Sequence, residues 1–287
     1  MELKTYLIER QALINRALGQ WLPPVREFPG SIHRAMRYSV LGEGKRVRPI
    51  LALAACESVG GKTSRVLPAA CALELIHAYS LVHDDLPALD NDDFRRGKPA
   101  CHKQFGEALG ILTGDALLTY SFRLLSQGNG PPGNGSASSG RSQHDDSVRM
   151  KVIREVVQAI GTQGMIGGQV ADVASTRGKI RPQMQEYINI RKTGALISAS
   201  VRVGALLGGA SPQAYRALSM YGKKVGLVFQ LVDDLLDGDG AARLHGVEAV
   251  RRRAHKLTRA ATDALDPLGR RAQPLKAIAQ FILTRNA

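Results

Sequence analysis

Apolar residues recur at the spacing of an α-helix through most of the chain. One clear stretch carries Leu67, Ala70, Leu73, Ile76 and Ala78. Alternating runs of β-branched residues bounded by turn residues, which are typical of strands, are scarce. The pattern predicts an all-α fold.

A long helix is predicted to begin at Ser211. Serine is a favoured N-cap residue, and Pro212 suits the first helical position because its missing N–H would have no partner there. Apolar residues continue at helical spacing as far as Leu236. Gly222 and Gly226 lie four residues apart on one face, where we expect a neighbouring helix to approach closely.

A polar segment, QGNGPPGNGSASSGRSQ, runs from Gln127 to Gln143. It has almost no apolar residues to offset the entropy lost on ordering, so it is predicted to be a flexible loop. It is either a linker between two domains or a long excursion between two helices. We favour the excursion, because the chemistry described below uses residues on both sides of it, and we predict a single domain over residues 1–287.

The chain has 287 residues, 44% of them hydrophobic, which is enough for a substantial core. Its formal net charge is +14, which raises the question of nucleic acid, a membrane surface or an anionic substrate as the partner. Some of the positive charge lies in residues 251–259 on the expected solvated face of a late helix. Aromatic residues make up only 5% of the chain, so no nucleic acid partner is predicted.

The three cysteines, Cys56, Cys71 and Cys101, have no paired spacing and are predicted to be reduced packing residues. Residues 1–5 lack the basic-then-apolar order of a secretory signal, and no run of eighteen uncharged apolar residues occurs. These features predict a cytoplasmic protein with no membrane span.

The most chemically distinctive segment is acidic. It reads HDDLPALDNDDFRR from His83 to Arg96, with five carboxylates in ten residues. Such crowding is costly unless cations or solvent screen it. An acidic loop capped by its own arginines is one interpretation. Metal binding is the more specific interpretation, since Mg²⁺ prefers oxygen ligands and usually takes one or two carboxylates together with substrate phosphates.

A second acidic cluster, DDLLD, ends the long helix at Asp237. Asp233 and Asp237 lie four residues apart, within about 40° of each other on one helix face, and could share an ion. Asp84 and Asp90 would not share a face in a regular helix, so we predict that the helix ends near Pro87 and that Asp90 returns towards Asp84. Two such helix ends facing a cavity would suit a metal-bound diphosphate.

Basic residues supply a complementary anion site. The turn GEGKRVRP spans residues 42–49, and Arg95 with Arg96 follows the first aspartates directly. Arginine side chains match phosphate oxygens well. Each of these residues taken alone is more often a surface charge, but together they indicate a second, metal-free diphosphate site.

The sequence resembles the trans-isoprenyl diphosphate synthases, and among them the bacterial farnesyl diphosphate synthases. The resemblance covers residues 31–237 and resumes at about Leu244. Its motifs are GEGKRVRP at 42–49, HAYSLVHDDLPALDNDDFRRGKP at 77–99, GGQVAD at 167–172, RKTGALI at 191–197 and FQLVDDLLD at 229–237. It implies an isoprenoid-synthase-type helical bundle around a deep central cavity. It also implies that the protein is a homodimer.

The resemblance also implies residue roles. The magnesium ligands would be Asp84, Asp85, Asp90, Asp233, Asp234 and Asp237, holding about three Mg²⁺ ions when substrate is bound, with Mn²⁺ as a substitute. The isopentenyl diphosphate site would be Lys45, Arg48, His77 and Arg96. The allylic diphosphate and the carbocation formed from it would lie near Arg95, Lys192, Thr193 and Gln230, supported by Gln169 and Asp172.

Product length is expected to depend on the helix before the first aspartates. Tyr79 lies about 7 Å of helical rise before Asp84, and Ser80 lies one turn before it. In bacterial farnesyl synthases an aromatic residue here, followed by a small one, accompanies a fifteen-carbon product. Ordinary helix packing is the alternative role for Tyr79. The resemblance therefore implies farnesyl diphosphate, with geranyl or geranylgeranyl diphosphate as the nearest alternatives.

The chain departs from the family after Asp237. Family members usually have a longer lid loop with a Gly-Lys-x-x-Gly-x-Asp element, whereas here Gly238, Asp239 and Gly240 lead directly to Ala241. A shorter lid would exclude water less well and would remove cations near the diphosphate. A non-catalytic or partner-dependent subunit is therefore a further hypothesis, although the retention of every aspartate favours an enzyme.

Overall fold

The computed structural model describes residues 2–126, 143–175, 182–238 and 240–285. The predicted loop at 127–143 lies outside these ranges except for Gln143. The α-helices among the described residues are α1 Leu3–Trp21, α2 Gly30–Val40, α3 Val47–Ser58, α4 Thr63–Asp84, α5 Cys101–Phe105, α6 Glu107–Ser126, α7 Gln143–Ile160, α8 Met165–Ser175, α9 Pro182–Ile188, α10 Ala195–Leu207, α11 Pro212–Asp237, α12 Gly240–His245, α13 Val247–Asp263 and α14 Gln273–Thr284.

Three short elements complete the fold. A π-helix spans Asn189–Gly194, and a 3₁₀-helix spans Asp266–Ala272. Strands β1 (Phe94–Arg95) and β2 (Lys98–Pro99) pair as a two-residue antiparallel ribbon. The all-α prediction is confirmed, with this ribbon as the only sheet among the described residues.

The chain forms two compact units. The N-terminal unit consists of Lys4–Ile50 and Leu67–Asp145, and the C-terminal unit consists of Met1–Leu3, Leu51–Val66 and Asp146–Ala287. The first acidic cluster and the basic turn belong to the N-terminal unit, and the second acidic cluster belongs to the C-terminal unit. The single domain over 1–287 stays a prediction.

Helix α11 begins and ends as its sequence indicates. The Ser211 side chain accepts a hydrogen bond from the N–H of Ala214 at 3.2 Å, and Pro212 occupies the first turn. At the other end Gly238 adopts φ +70°, the left-handed conformation that glycine takes at low cost after a helix. The predicted start at Ser211 is confirmed.

Two glycines of α11 allow its neighbours to approach closely. A Cβ atom at Gly226 would lie 3.0 Å from the carbonyl oxygen of Gly194, and one at Gly222 would lie 3.2 Å from that of Ser198. These contacts are with the end of the π-helix and with α10, as the spacing of the two glycines predicts. They place α11 against the segment that carries Lys192 and Thr193.

Helix α4 is a core helix. Among the described residues it is the one helix whose length and composition would permit a membrane crossing, yet its most apolar window, with a mean hydropathy of 1.3, is 72% buried within the protein. Core helices meet the same criteria. Cys71 on this helix, Cys56 on α3 and Cys101 on α5 are all buried free thiols, as predicted.

Candidate active site

The first acidic segment begins where α4 ends. The helix stops at Asp84, and the N–H of Leu86 donates to the carbonyl of His83 at 3.1 Å. The N–H of Asp90 then donates to the carbonyl of Asp84 at 2.8 Å. Pro87 has no N–H with which to extend the helix, so the chain folds back after it. The predicted return of Asp90 towards Asp84 is confirmed.

Asp85 points into the protein and holds Arg95. Its side chain is 3% exposed, and its Oδ1 accepts hydrogen bonds from Nε of Arg95 at 2.8 Å and from Nη2. Nη2 of Arg95 also donates to Asp92 at 2.8 Å. Burial raises the pKa of Asp85, and the hydrogen bond and charge of Arg95 oppose that rise. Asp84 is half-buried and Asp90 is exposed, so these two carboxylates face the solvent side of the loop.

The β-ribbon concentrates positive charge beside this loop. Arg95 on β1 is paired directly with Lys98 on β2, and Arg96 lies between them with φ +53°. Two cations facing each other across a ribbon are destabilising unless an anion screens them. Asp85, Arg95, Arg96 and Lys98 line a pocket of about 50 Å³ together with Glu43 and other residues. Lys98 was not predicted as a site residue. The signal in the sequence that could have identified it is its position two residues after Arg96.

The basic turn at 42–49 is anchored by Arg46, another residue to which no role was predicted. Arg46 is buried with φ +49°, and its Nη1 donates to Glu74 Oε1 of α4 at 2.6 Å. Its Nη2 donates to the carbonyls of Val40 and Gly42 at 2.7 and 2.9 Å. The signal in the sequence was Glu74, a single carboxylate inside an otherwise apolar helix.

Arg96 and His77 lie close to this turn. Nη1 of Arg96 is 2.9 Å from the place that a Cβ of Gly44 would occupy, so the guanidinium lies directly against this turn. The pKa of His77 is held well below its ordinary value by burial and by the positive charges of Arg48 and Arg96. His77 is therefore neutral at pH 7. Of the predicted isopentenyl diphosphate residues, Arg48, His77 and Arg96 lie within electrostatic range of one another, and Lys45 is exposed on the same turn.

Tyr79 is buried on α4, with a side chain in edge-on contact with His83 at 5.9 Å between ring centroids. Burial and the nearby charge of Asp84 raise the pKa of Tyr79 to about 12, so it stays protonated. Its hydroxyl is buried with no hydrogen-bond partner among the described residues. Ser80 Oγ donates to the carbonyl of His77 at 2.9 Å.

In the C-terminal unit, the π-helix carries Lys192 and Thr193. Nζ of Lys192 donates to Asp172 of α8 at 2.8 Å. A Cβ at Gly168 would lie 2.3 Å from the backbone nitrogen of Lys192, so α8 packs directly on the π-helix. Both polar atoms of the Gln169 amide are buried without a hydrogen-bond partner among the described residues. π-helical turns are rare and occur frequently at functional sites.

The three aspartates of the second cluster have different surroundings. Asp237 is exposed, and Asp233 forms an ion pair with Arg285. Burial raises the pKa of Asp233, while Arg285 opposes that rise. Asp234 is 3% exposed and accepts hydrogen bonds from Gln230, Asn189 and the backbone of Ala241. Asp233 and Asp237 thus face outwards on one side of α11, and Asp234 faces inwards.

The exposed carboxylates fit magnesium in their chemistry. Among the described residues, no three acidic, histidine or cysteine side chains converge closely enough to hold a metal by themselves. Mg²⁺ does not need such a cage, since it keeps water and is usually bound by one or two carboxylates plus substrate phosphates. Asp90 and Asp237 are exposed, and their neighbours Asp84 and Asp233 are half-buried, so these four carboxylates could meet that requirement once Asp233 exchanges its ion pair with Arg285 for the metal. Asp85 and Asp234 are buried and are bound by protein groups.

The connection after Asp237 is short and leads into helix α12. Helix α12 begins at Gly240, only three residues after α11 ends. Its Ala241 N–H donates to Oδ2 of Asp234 at 2.9 Å. Helix α12 is therefore held to α11 through Asp234.

Comparison with known proteins places these features in a wider group. The sequence profile described as polyprenyl synthetase matches residues 29–250. The large subunit 1 of a heterodimeric geranylgeranyl pyrophosphate synthase from Arabidopsis thaliana is 42% identical, over 98% of this chain and 79% of that protein. A geranylgeranyl diphosphate synthase from Cyanophora paradoxa is 40% identical, over 99% of this chain and 97% of that protein.

The fold of this chain is also similar to that of a solved structure. The FPP/GFPP synthase from Zymomonas mobilis superimposes with a TM-score of 0.89 at 34% sequence identity, covering 98% of this chain and 99% of that one. The all-α architecture is thus the fold of that synthase.

Proposed function

The chain belongs to the polyprenyl synthetase family of chain-elongating prenyltransferases, and from this premise we propose that it joins isopentenyl diphosphate to an allylic diphosphate and releases geranylgeranyl diphosphate. The observation that carries the proposal is the fold of the first acidic segment. The hydrogen bond from the Asp90 N–H to the Asp84 carbonyl brings the two residues together at the end of α4, and the charge of Asp84 lies within electrostatic range of Arg95. This arrangement suits a diphosphate bound with metal ions.

The reaction begins when the C1–O bond of the allylic diphosphate breaks and the diphosphate leaves with the electron pair. Arg95 and Lys192 neutralise the departing charge, and such electrostatic stabilisation is the largest contribution in many enzymes. Magnesium, when bound, adds Lewis-acid stabilisation of the same leaving group. Asp84, Asp90, Asp233 and Asp237 would hold it.

The second partner must be in place before water reaches the cation. Lys45, Arg48, His77 and Arg96 bind isopentenyl diphosphate in this proposal. A neutral His77 suits that role as a hydrogen-bond donor, because protonation is opposed by the surrounding arginines. The double bond of isopentenyl diphosphate attacks C1 of the cation and forms the new carbon–carbon bond. The released diphosphate then removes a proton, and loss of this proton restores a double bond, so the chain needs no separate base.

The wall around the cation comes from the π-helix and from α11. The Thr193 hydroxyl, the Lys192 carbonyl and the Gln230 amide are proposed to stabilise the positive charge as it develops. Gln169 and Asp172 support this wall. The hydrogen bond from Lys192 to Asp172 holds the lysine, and the unpaired buried amide of Gln169 would gain a partner when substrate binds.

Two observations favour different product lengths. The relatives described above that are about 40% identical are named as geranylgeranyl synthases, which supports a twenty-carbon product. The resemblance to bacterial farnesyl synthases at Tyr79 and Ser80 supports a fifteen-carbon product, and Tyr79 is buried as a floor residue would be. We therefore keep farnesyl diphosphate as a second candidate.

The test is to incubate the purified protein with Mg²⁺, radiolabelled isopentenyl diphosphate and dimethylallyl, geranyl or farnesyl diphosphate, then to size the dephosphorylated products. A twenty-carbon product supports the leading proposal, and accumulation of fifteen carbons with no use of farnesyl diphosphate supports the second. Asp84→Asn should abolish product, whereas Asp263→Asn, which removes an exposed charge on α13, should not.

A partner-dependent subunit is the remaining hypothesis, motivated by the short connection after Asp237. We propose that the protein is a cytoplasmic homodimer that is active without another subunit. Light scattering after size exclusion would measure the oligomer. A folded protein that makes no product with any allylic diphosphate would reject the self-sufficient enzyme.

A further inference from the structure

The acidic cluster on α11 contains one carboxylate whose surroundings differ from those of its neighbours. Asp234 is 3% exposed, whereas Asp237 is exposed and Asp233 is half-buried. Oδ1 of Asp234 accepts a hydrogen bond from Nε2 of Gln230 at 2.9 Å. Oδ2 accepts from Nδ2 of Asn189 at 3.1 Å and from the N–H of Ala241 at 2.9 Å. Three protein donors therefore bind its two oxygens.

We infer that Asp234 is a positioning residue that joins the π-helix, Gln230 and the segment after α11, and that it is not a magnesium ligand. A hydrated ion needs a carboxylate that faces solvent or substrate, since Mg²⁺ gives up its water reluctantly. Asp234 offers neither. Its burial is instead compensated by hydrogen bonds, as a buried charge requires.

The Asn189 contact connects this carboxylate to the π-helix. Asn189 is the first residue of that helix, and its Oδ1 accepts a hydrogen bond from Nε2 of Gln185 at 3.0 Å. That bond fixes the amide so that its NH₂ group faces Asp234. Because Lys192 and Thr193 follow three and four residues later, a shift at Asn189 would move both. The inference rests here on the proposed function, which places those two residues beside the reacting carbon.

The Ala241 contact connects the same carboxylate to α12. Gly240 adopts φ +48°, and a Cβ atom there would lie 2.7 Å from the carboxyl carbon of Asp234. Only glycine fits this approach. Helix α12 is thus fastened to α11 through Asp234.

The first test compares how replacement of Asp234 and replacement of its exposed neighbour Asp237 change magnesium binding. Titration calorimetry would measure Mg²⁺ binding in the presence of inorganic diphosphate for Asp234→Asn and Asp237→Asn. We expect Asp234→Asn to stay within about twofold of the wild-type dissociation constant and Asp237→Asn to weaken it about tenfold, as loss of a ligating or supporting group does. A tenfold weakening by Asp234→Asn would overturn the inference.

The second test needs neither metal nor substrate. Asp234→Ala removes both carboxylate oxygens, so the Ala241 N–H loses its acceptor. Its hydrogen exchange in the apoprotein should become about tenfold faster, and Gly240→Ala should have the same effect. Unchanged exchange in Asp234→Ala would contradict the proposed link. This result stands whether or not the protein makes a prenyl diphosphate, so it separates failure of this inference from failure of the proposed function.

The third test uses Asn189, the residue of the π-helix that donates to Asp234. Asn189→Ala should lower kcat about tenfold with an unchanged Mg²⁺ requirement, because a small misplacement of reacting groups can cost up to about a hundredfold. In the double variant Asn189→Ala/Asp234→Asn, the fold-decrease in kcat should be smaller than the product of the two single fold-decreases, as is found for coupled residues. Gln183→Ala, on the exposed side of α9, is the matched control. If Asp234→Asn does not fold, Asn189→Ala alone still decides, since normal kcat would reject the link.

Discussion

Arg285 and Asp233 form an ion pair that places a guanidinium at one of the two outward-facing carboxylates of α11. Arg285 also lies over the ring of Phe229, with its guanidinium carbon 4.0 Å from the ring centroid, and Nη2 donates to the Phe229 carbonyl at 3.2 Å. Its side chain is only 8% exposed. The arginine therefore holds a positive charge against a carboxylate that we propose to bind magnesium, and the two cations compete for it.

Arg285→Gln should accordingly strengthen magnesium binding. Calorimetry with Mg²⁺ and inorganic diphosphate should show a dissociation constant about fivefold lower, the equivalent of ~1 kcal/mol for a partly exposed ion pair. Arg252→Gln removes the same charge from the exposed face of α13 and should leave the constant unchanged. Equal or weaker binding by Arg285→Gln would show that the arginine does not compete.

Tyr79 provides a direct test of product length. Tyr79→Ala should lengthen the product by at least one five-carbon unit, because it removes a buried ring below the first aspartates, and should cost about 3 kcal/mol of stability. Tyr79→Phe keeps the ring and removes only a buried hydroxyl without a described partner, so it should leave product length unchanged. Products of wild-type length from a folded Tyr79→Ala would assign the residue to packing alone.

Local chemistry made several parts of this structure predictable. Ser211 and Pro212 define the start of α11 because capping depends on neighbouring residues only, and Pro87 ends α4 for the same reason. Long-range contacts were not predictable. Gly168 packs against the backbone of the π-helix, a contact that no local pattern indicates, and the arginine that meets Asp233 lies 52 residues further along the chain.

The packing of α8 on the π-helix yields a stability prediction. Gly168→Ala should destabilise the protein by about 1–3 kcal/mol and lower activity, because the new methyl group would meet the backbone of Lys192. The control is Gly19→Ala in α1, where nothing lies within 4 Å of the added atom. There the change should stabilise by about 0.5–1 kcal/mol, the helix preference of alanine over glycine. Equal effects at the two sites, measured by urea unfolding, would contradict the close packing.

His77 should make stability depend on pH. Its pKa in the folded protein is well below the ordinary value of 6.5, owing to burial and then to the positive charges of Arg48, Arg96, Arg46 and Arg95. Below pH 6.5 the unfolded chain binds a proton that the folded chain does not, so the free energy of unfolding falls as pH falls. The slope should reach about 1.4 kcal/mol per pH unit for one proton.

Urea unfolding between pH 7.5 and pH 5 would measure this effect, with those limits chosen about one unit or more on either side of the ordinary histidine pKa. His77→Gln should reduce the slope, whereas His255→Gln, on the exposed face of α13, should not. Equal slopes for the wild type and His77→Gln would show that the imidazole is protonated in the folded protein.

Arg46 shows why motif recognition alone gave an incomplete account of the basic turn. In the sequence Arg46 stands among Lys45 and Arg48 as one of three similar cations. In the structure it turns inwards with φ +49° and is 3% exposed, because Glu74 on α4 offers a buried partner at 2.6 Å. The partner lies 28 residues away, so no local pattern separates the anchoring arginine from the exposed Lys45.

Removal of that partner should therefore affect both stability and substrate binding. Glu74→Gln leaves a buried guanidinium without its counter-charge and should cost about 3–5 kcal/mol, whereas Asp266→Asn, at the exposed Lys276 pair, should cost less than about 1 kcal/mol. Because the turn also carries Lys45, the KM for isopentenyl diphosphate should rise more than kcat falls. The double variant Arg46→Met/Glu74→Leu should regain part of the stability without restoring that KM, since it removes the buried charges but also the hydrogen bonds to Val40 and Gly42. A double variant with normal KM would show that the turn holds its shape without Arg46.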